Sequence, residues 1–135
     1  MKFTDAIKLM PDYIGSNGRS EEEIEQAEKV LGISFAKDYR DYLEEIGLAC
    51  FDGHELTGLT KTARLNVIDV TKEYREELGN MVSSWYVVEE VGLDGIIIWQ
   101  SSDGVVYATM SNSKSVKLAE SLIEYVSAKT ECEKC

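Results

Sequence analysis

The stretch from Ser20 to Gly47, SEEEIEQAEKVLGISFAKDYRDYLEEIG, constrains this chain most, because it specifies two short helices and the joint between them. Ser20 followed three residues later by Glu23 is a capping box, which satisfies backbone donors that the first turn of a helix leaves open. Ile24, Ala27 and Leu31 then recur at helical spacing and make an apolar stripe. Gly32 supplies a left-handed position at the helix end, with Ile33 folding back as the apolar contact after it. Tyr39, Leu43 and Ile46 form a second stripe, closed by Gly47. Glu21, Glu22, Glu23 and Glu25 are left facing water.

Around this pair the pattern alternates between helix and strand. Phe3 to Met10 reads as a short helix that stops before Pro11, since the residue before proline is held away from helical geometry. Ser16–Asn17–Gly18 reads as a turn. Cys50 to Leu59 has glycines and β-formers, and reads as two short strands or one irregular strand. Leu65–Ile68 is a further candidate strand, and Asp69 is placed to cap a helix over Val70–Leu78 that Gly79 ends. Trp85–Glu90 and Ile96–Gln100 read as strands, the second apolar on both sides and therefore central. Ser101–Ser102–Asp103–Gly104 is a turn into Val105–Met110, a hairpin signal. A closing helix is expected over 120–129. Helices bracketing a central antiparallel sheet make an α+β, single-domain architecture over residues 1–135, with 130–135 a frayed tail.

The helix pair resembles the N-terminal signature of the SUKH superfamily, the Smi/Knr-like proteins. The matching residues are Ile24–Glu25, Glu28, Leu31–Gly32–Ile33, Asp38–Tyr39–Arg40–Asp41–Tyr42–Leu43 and Gly47. Ile97–Ile98–Trp99, Asp103–Gly104–Val105–Val106–Tyr107 and Leu118–Val126 extend the likeness through the second half. Phe35–Ala36 stands where the family has a Leu-Pro pair, and Ile46 where it has Asn.

Composition narrows the function. The chain has 135 residues, 44% of them hydrophobic, and one proline, which suits one domain with its own core. No apolar run approaches the roughly 20 residues that span a bilayer, and the N-terminus lacks the apolar segment of a secretion signal. Three cysteines, an odd number, suit a reducing compartment, so a cytoplasmic location is expected. The net charge of −11 disfavours nucleic acid and anionic membranes and favours basic partners.

Catalytic chemistry has few places to reside. The single histidine, His54, would have to serve any nucleophile, and Cys50 lies near it, but nothing in the sequence supplies an oxyanion site. Cys132 and Cys135 have the spacing of one zinc knuckle, which Cys50 and His54 would need to complete. Structural sites usually pair two knuckles, and an unliganded tail is expected instead. The acidic pairs Glu44–Glu45 and Glu76–Glu77 fall on expected helix exteriors, the Glu89–Gly95 segment lacks a calcium-loop pattern, and no glycine loop is built to cradle phosphate. No enzyme activity, metal or cofactor is expected.

The remaining signal is an aromatic pair beside acids. Trp85–Tyr86 at a sheet edge, with Glu89 and Glu90, has the composition of a binding hot spot for a basic partner. The expected contact set is Asp52, Glu55, Trp85, Tyr86, Glu89, Glu90, Asp94 and Asp103, placed on strand ends and turns rather than on helix backs. The SUKH resemblance implies an immunity protein, an antitoxin that neutralises a cognate polymorphic toxin. YobK-type immunity proteins of Bacillus, which pair with LXG toxins, are the relatives it points to. The expected mechanism is nuclease inhibition by covering a basic active-site cleft, without direct nucleic-acid binding. A non-enzymatic regulatory scaffold of the Smi/Knr type is the alternative.

Overall fold

The computed structural model describes residues 2–91, 95–110 and 114–127. Four helices, α1 (Phe3–Lys8), α2 (Glu21–Leu31), α3 (Lys37–Glu45) and α4 (Val67–Leu78), are interleaved with strands β1 (Ile14–Gly15), β2 (Ala49–Phe51) and β3 (His54–Glu55). Four more strands follow: β4 (Trp85–Glu90), β5 (Ile97–Ser101), β6 (Val106–Thr109) and β7 (Ser115–Ala119). Residues 122–127 are helical. The fold is α+β.

The helix pair forms as its sequence dictates. Ser20 Oγ accepts from the Glu23 amide at 3.2 Å, and the Ser20 amide donates back to the Glu23 carboxylate at 3.2 Å. Gly32 sits at φ 68°, and the Ile33 amide donates to the Glu28 carbonyl at 3.1 Å, closing a Schellman motif. Ile24, Ala27, Leu31, Tyr39, Leu43 and Ile46 are all buried, and Tyr42 joins them.

The strands form two antiparallel sheets rather than one. β1-β2-β3 make a three-stranded sheet and β4-β5-β6-β7 a four-stranded sheet. The β2–β3 hairpin turns at Asp52 and Gly53, with φ of 45° and 81°. Two successive positive φ values suit the twist of a tight hairpin, and Asp-Gly tolerates them at little cost. An isolated bridge between Leu56 and Glu89 and a bond from the Thr57 amide to the Val88 carbonyl, 2.9 Å, join the two sheets.

Three local expectations are corrected. Residues 65–68 form no strand: a 3-10 turn over Ala63–Leu65 leads directly into α4. Asn66, not Asp69, is the cap, and its side-chain oxygen accepts from the Ile68 amide at 2.9 Å. Ser16–Asn17–Gly18 is irregular backbone rather than a turn. Residues 115–119, for which the sequence signals no strand, also pair with β6 as an edge strand. Their exposed face leaves little of the burial pattern by which strands are recognised.

The four-stranded sheet is apolar on both faces. Tyr86, Val88, Ile98, Val106 and Ala108 pack with α1, α2, α3 and the C-terminal helix, whereas Val87, Ile97 and Trp99 pack with Val70 and Val82 around α4. Phenol hydroxyls stitch the larger core to buried backbone. Tyr42 donates to the Thr57 carbonyl at 3.0 Å and accepts from the Ala49 amide at 2.9 Å. Thr57 Oγ1 donates to the Val87 carbonyl at 2.8 Å, so its 2.9 Å contact with Tyr39 is one in which the phenol donates. Tyr86 donates to Gln100 Oε1 at 2.6 Å and accepts from the Ala36 amide at 2.9 Å.

Replacing Tyr86 by Phe strands the buried Ala36 amide and the Gln100 carbonyl. Tyr86→Phe is expected to lower stability by about 1–3 kcal/mol in urea unfolding. Burial holds the phenols of Tyr39, Tyr42 and Tyr86 above their usual value. In the unfolded chain they ionise near pH 10, so above that pH the unfolded state binds fewer protons than the fold. Their contribution is therefore intact below about pH 10 and lost as pH rises through the raised folded values. In an alkaline titration, phenolate absorbance from these residues is expected to appear together with loss of far-UV circular dichroism, not before it.

Candidate partner-binding surface

The geometry of this region begins with a bulge in β4. Val87 pairs with Trp99, but Glu89, two residues on, pairs with Ile98, so one extra residue is inserted on the β4 side. Simple alternation would have placed Glu89 with Trp85 and Val87, on the face that α4 covers. The bulge swings it to the opposite face, beside Tyr86 and Val88, and sends Glu90 towards α4.

Glu89 is consequently 2% exposed. Tyr125 donates to Glu89 Oε1 at 2.6 Å, His54 Nδ1 lies 2.9 Å from the same oxygen, and the Glu55 amide donates to Oε2 at 3.1 Å. An ionised carboxylate only accepts, which places the imidazole proton on Nδ1 when Glu89 is charged. Burial, then the charge of Glu89, raises the pKa of Tyr125. The His54–Glu89 pair has catalytic residue types, but both side chains are buried and both carboxylate oxygens are engaged. Its role is to join β3, β4 and the C-terminal helix.

Above this network lies a cleft of about 390 Å³, lined by Gly53, Glu55, Thr57, Arg64, Leu65, Glu90 and Val91 together with Glu89. Arg64 reaches Glu55 with two bonds, 2.7 and 3.3 Å, in an exposed pair that contributes little stability. Glu90 accepts from the Tyr74 hydroxyl at 2.8 Å. The pKa of Tyr74 is raised by burial first and by Glu90 next. That bond brings Glu90 no counter-charge, while Arg64, which lines the same cleft, feels its charge.

The expected contact residues are thus divided. Glu55 and Glu90 meet in the cleft, and Asp52 is half-exposed in the hairpin turn beside Gly53. Trp85 lies at the other end of β4, about 16 Å away at the usual strand rise. It is half-buried and stacks on Tyr107 at 4.1 Å with the rings 8° apart. Asp103 is exposed in the β5–β6 turn, where bonds first from Ser101 Oγ and then from the Val105 amide lower its pKa. Two placements are corrected. Tyr86 is fully buried among Phe35 and Tyr39 rather than at a sheet edge, and Glu89 is 2% exposed with both carboxylate oxygens engaged by the internal network. Asp94 lies outside the described residues.

Arg64 lines the cleft and Tyr74 holds Glu90 from α4, but neither carries a local signal in the sequence, since each is one polar residue on an ordinary turn or helix. Cys50 pairs with Glu55 while His54 pairs with Phe51, so thiol and imidazole point to opposite faces of the small sheet. Among the described residues no cluster of three or more His, Cys, Asp or Glu side chains is arranged to hold a metal ion. Cys132 and Cys135 lie outside the described residues. Among those described, no helix is long and apolar enough to cross a membrane.

A family model, SUKH_5, described as SMI1-KNR4 cell-wall, matches residues 4–131. No curated protein matches the chain.

Removing the Glu89 carboxylate strands His54, the Tyr125 hydroxyl and the Glu55 amide at once. Glu89→Ala is expected to destabilise by about 3 kcal/mol, and Glu90→Ala by about 0.5 kcal/mol or less, in matched urea titrations.

Proposed function

This chain belongs to the SMI1-KNR4 (SUKH) family, and from that membership we propose that it is a non-enzymatic immunity protein. Its partner is a cognate polymorphic toxin with a basic nuclease-type domain, of the kind that YobK-type proteins meet in LXG systems. It neutralises that domain in the cytoplasm by covering the cleft that would hold phosphate. The observation that supports this reading is the charge. The chain carries a net −11, and Glu55 and Glu90 present carboxylates in one open cleft with Asp52 beside it. A surface of this sign repels nucleic acid and is steered towards the site that nucleic acid would occupy. The half-buried Trp85–Tyr107 stack offers an aromatic contact at the far end of the same strand. The alternative, a regulatory scaffold of the Smi/Knr type, is favoured by the cell-wall wording of the family description.

Co-expression with the C-terminal domain of a toxin encoded beside this chain tests the reading. Restored growth and a co-purifying complex are expected; continued toxicity with no complex removes it. Charge reversal tests the steering. Glu55→Lys with Glu90→Lys is expected to slow association about tenfold at low salt and to flatten its salt dependence. Glu89 is unsuited to this test, because a cation buried there would unfold the network.

A further inference from the structure

The outer face of the three-stranded sheet adds an apolar element to the acidic cleft. Ile14 pairs with Cys50, and Cys50 pairs with Glu55, so the three side chains stand in a row on one face. Ile14 is 69% exposed although it lies within a sheet. Exposed single hydrophobics are common and carry no message alone. Ile14, however, borders a slot of about 170 Å³ whose other walls include Leu48, Cys50, Leu56 and Leu65. A cavity of about 150 Å³ accommodates a benzene ring, so this slot has room for one aliphatic or aromatic side chain.

The slot and the acidic cleft share two walls, Glu55 and Leu65, and form one continuous surface. An apolar centre with a charged rim is the anatomy of a protein interface. The rim sets the sign of the occupant. Glu90 is bonded to a neutral hydroxyl, and among the described residues Glu55 pairs with the exposed Arg64, which an incoming cation displaces at little cost.

We propose that this surface takes a basic protein segment, which places one apolar side chain in the slot between Ile14 and Leu65 and lysine or arginine against Glu55 and Glu90. The inference deepens the immunity reading by naming where the partner anchors and what chemistry it brings. Charge supplies the encounter, and the slot supplies the discrimination among cationic partners that charge lacks.

Cys50 is a built-in reporter, because it lines the slot and is half-exposed. With Cys132→Ser and Cys135→Ser, it is the only thiol left in the chain of three cysteines. The probe is a short peptide of alternating leucine and lysine. At about ten times its Kd it is expected to slow Cys50 alkylation about tenfold. A serine–lysine peptide and a leucine–glutamate peptide are expected to leave the rate unchanged. Ile14→Asp, an exposed substitution, and the pair Glu55→Gln with Glu90→Gln are each expected to weaken the leucine–lysine peptide about tenfold. Unchanged alkylation with that peptide overturns the proposal, as does equal protection by the serine–lysine peptide. Protection that grows with protein concentration in the absence of peptide also overturns it, by assigning the face to a second copy. Toxin rescue that survives Ile14→Asp undiminished removes the slot while leaving the immunity reading intact. Failure of the unaltered chain to rescue removes the immunity reading while the Cys50 result stands.

Discussion

A buried carboxylate must be satisfied, and the structure is arranged around satisfying Glu89. Two segments distant in sequence bring it partners, the β2–β3 hairpin through His54 and the Glu55 amide and the C-terminal helix through Tyr125, while the bulge in its own strand β4 aims it inward. A charge in this position without such partners would be strongly unfavourable. Held by them, it locks the small sheet to the large one. The cleft above it therefore has a rigid base, and Glu55 is presented outward because its own amide is tied inward. The internal carboxylate thus positions the external one, and this is the link from fold to surface chemistry.

The tyrosines extend the same logic to neutral groups. Tyr39 lies within 5.5 Å of both Tyr42 and Tyr86, ring to ring, and the three hydroxyls meet partners far along the chain, Tyr39 and Tyr42 both at Thr57 and Tyr86 at Ala36 and Gln100. Aromatic bulk fills the core between helix pair and sheets, while the hydroxyls complete backbone bonding where α3 and the strand ends meet. A buried phenol is economical there, since it is apolar along its length and polar at its tip. The cost is that aromatic residues with the composition of a binding patch are spent on the interior.

That division shows what could be read from the chain. The helix pair was legible because its signals are local: a capping box, a glycine stop and stripes of three or four residue spacing. β4 and β5 were legible because apolar runs bounded by turns leave few alternatives. Asn66 and Asp69 are both good caps, and only the 3-10 turn before α4 selects the earlier one. β7 escaped because an exposed edge strand lacks the burial that shapes its composition. The site was less legible than the fold. Trp85 and Tyr86 are adjacent and chemically alike, yet one faces solvent in part and the other is interior. Glu89 and Glu90 are identical residues, and a one-residue bulge with no compositional mark decides which is inside. Ile14 and Leu65 stand 51 positions apart in the chain, so nothing local could announce that they border one slot.

Asp38 joins the two ends of the fold. One of its carboxylate oxygens accepts from Gln100 at 2.9 Å, and the other accepts from the Leu122 amide at 3.0 Å, at the start of the C-terminal helix. The first turn of that helix is therefore held twice, locally by Ser121 Oγ, which accepts from the Glu124 amide at 3.2 Å, and by a carboxylate 84 positions earlier. The distant bond forms only once the chain has closed a very long loop, and such closures are entropically slow. Asp38 thereby ties early and late segments into one cooperative unit.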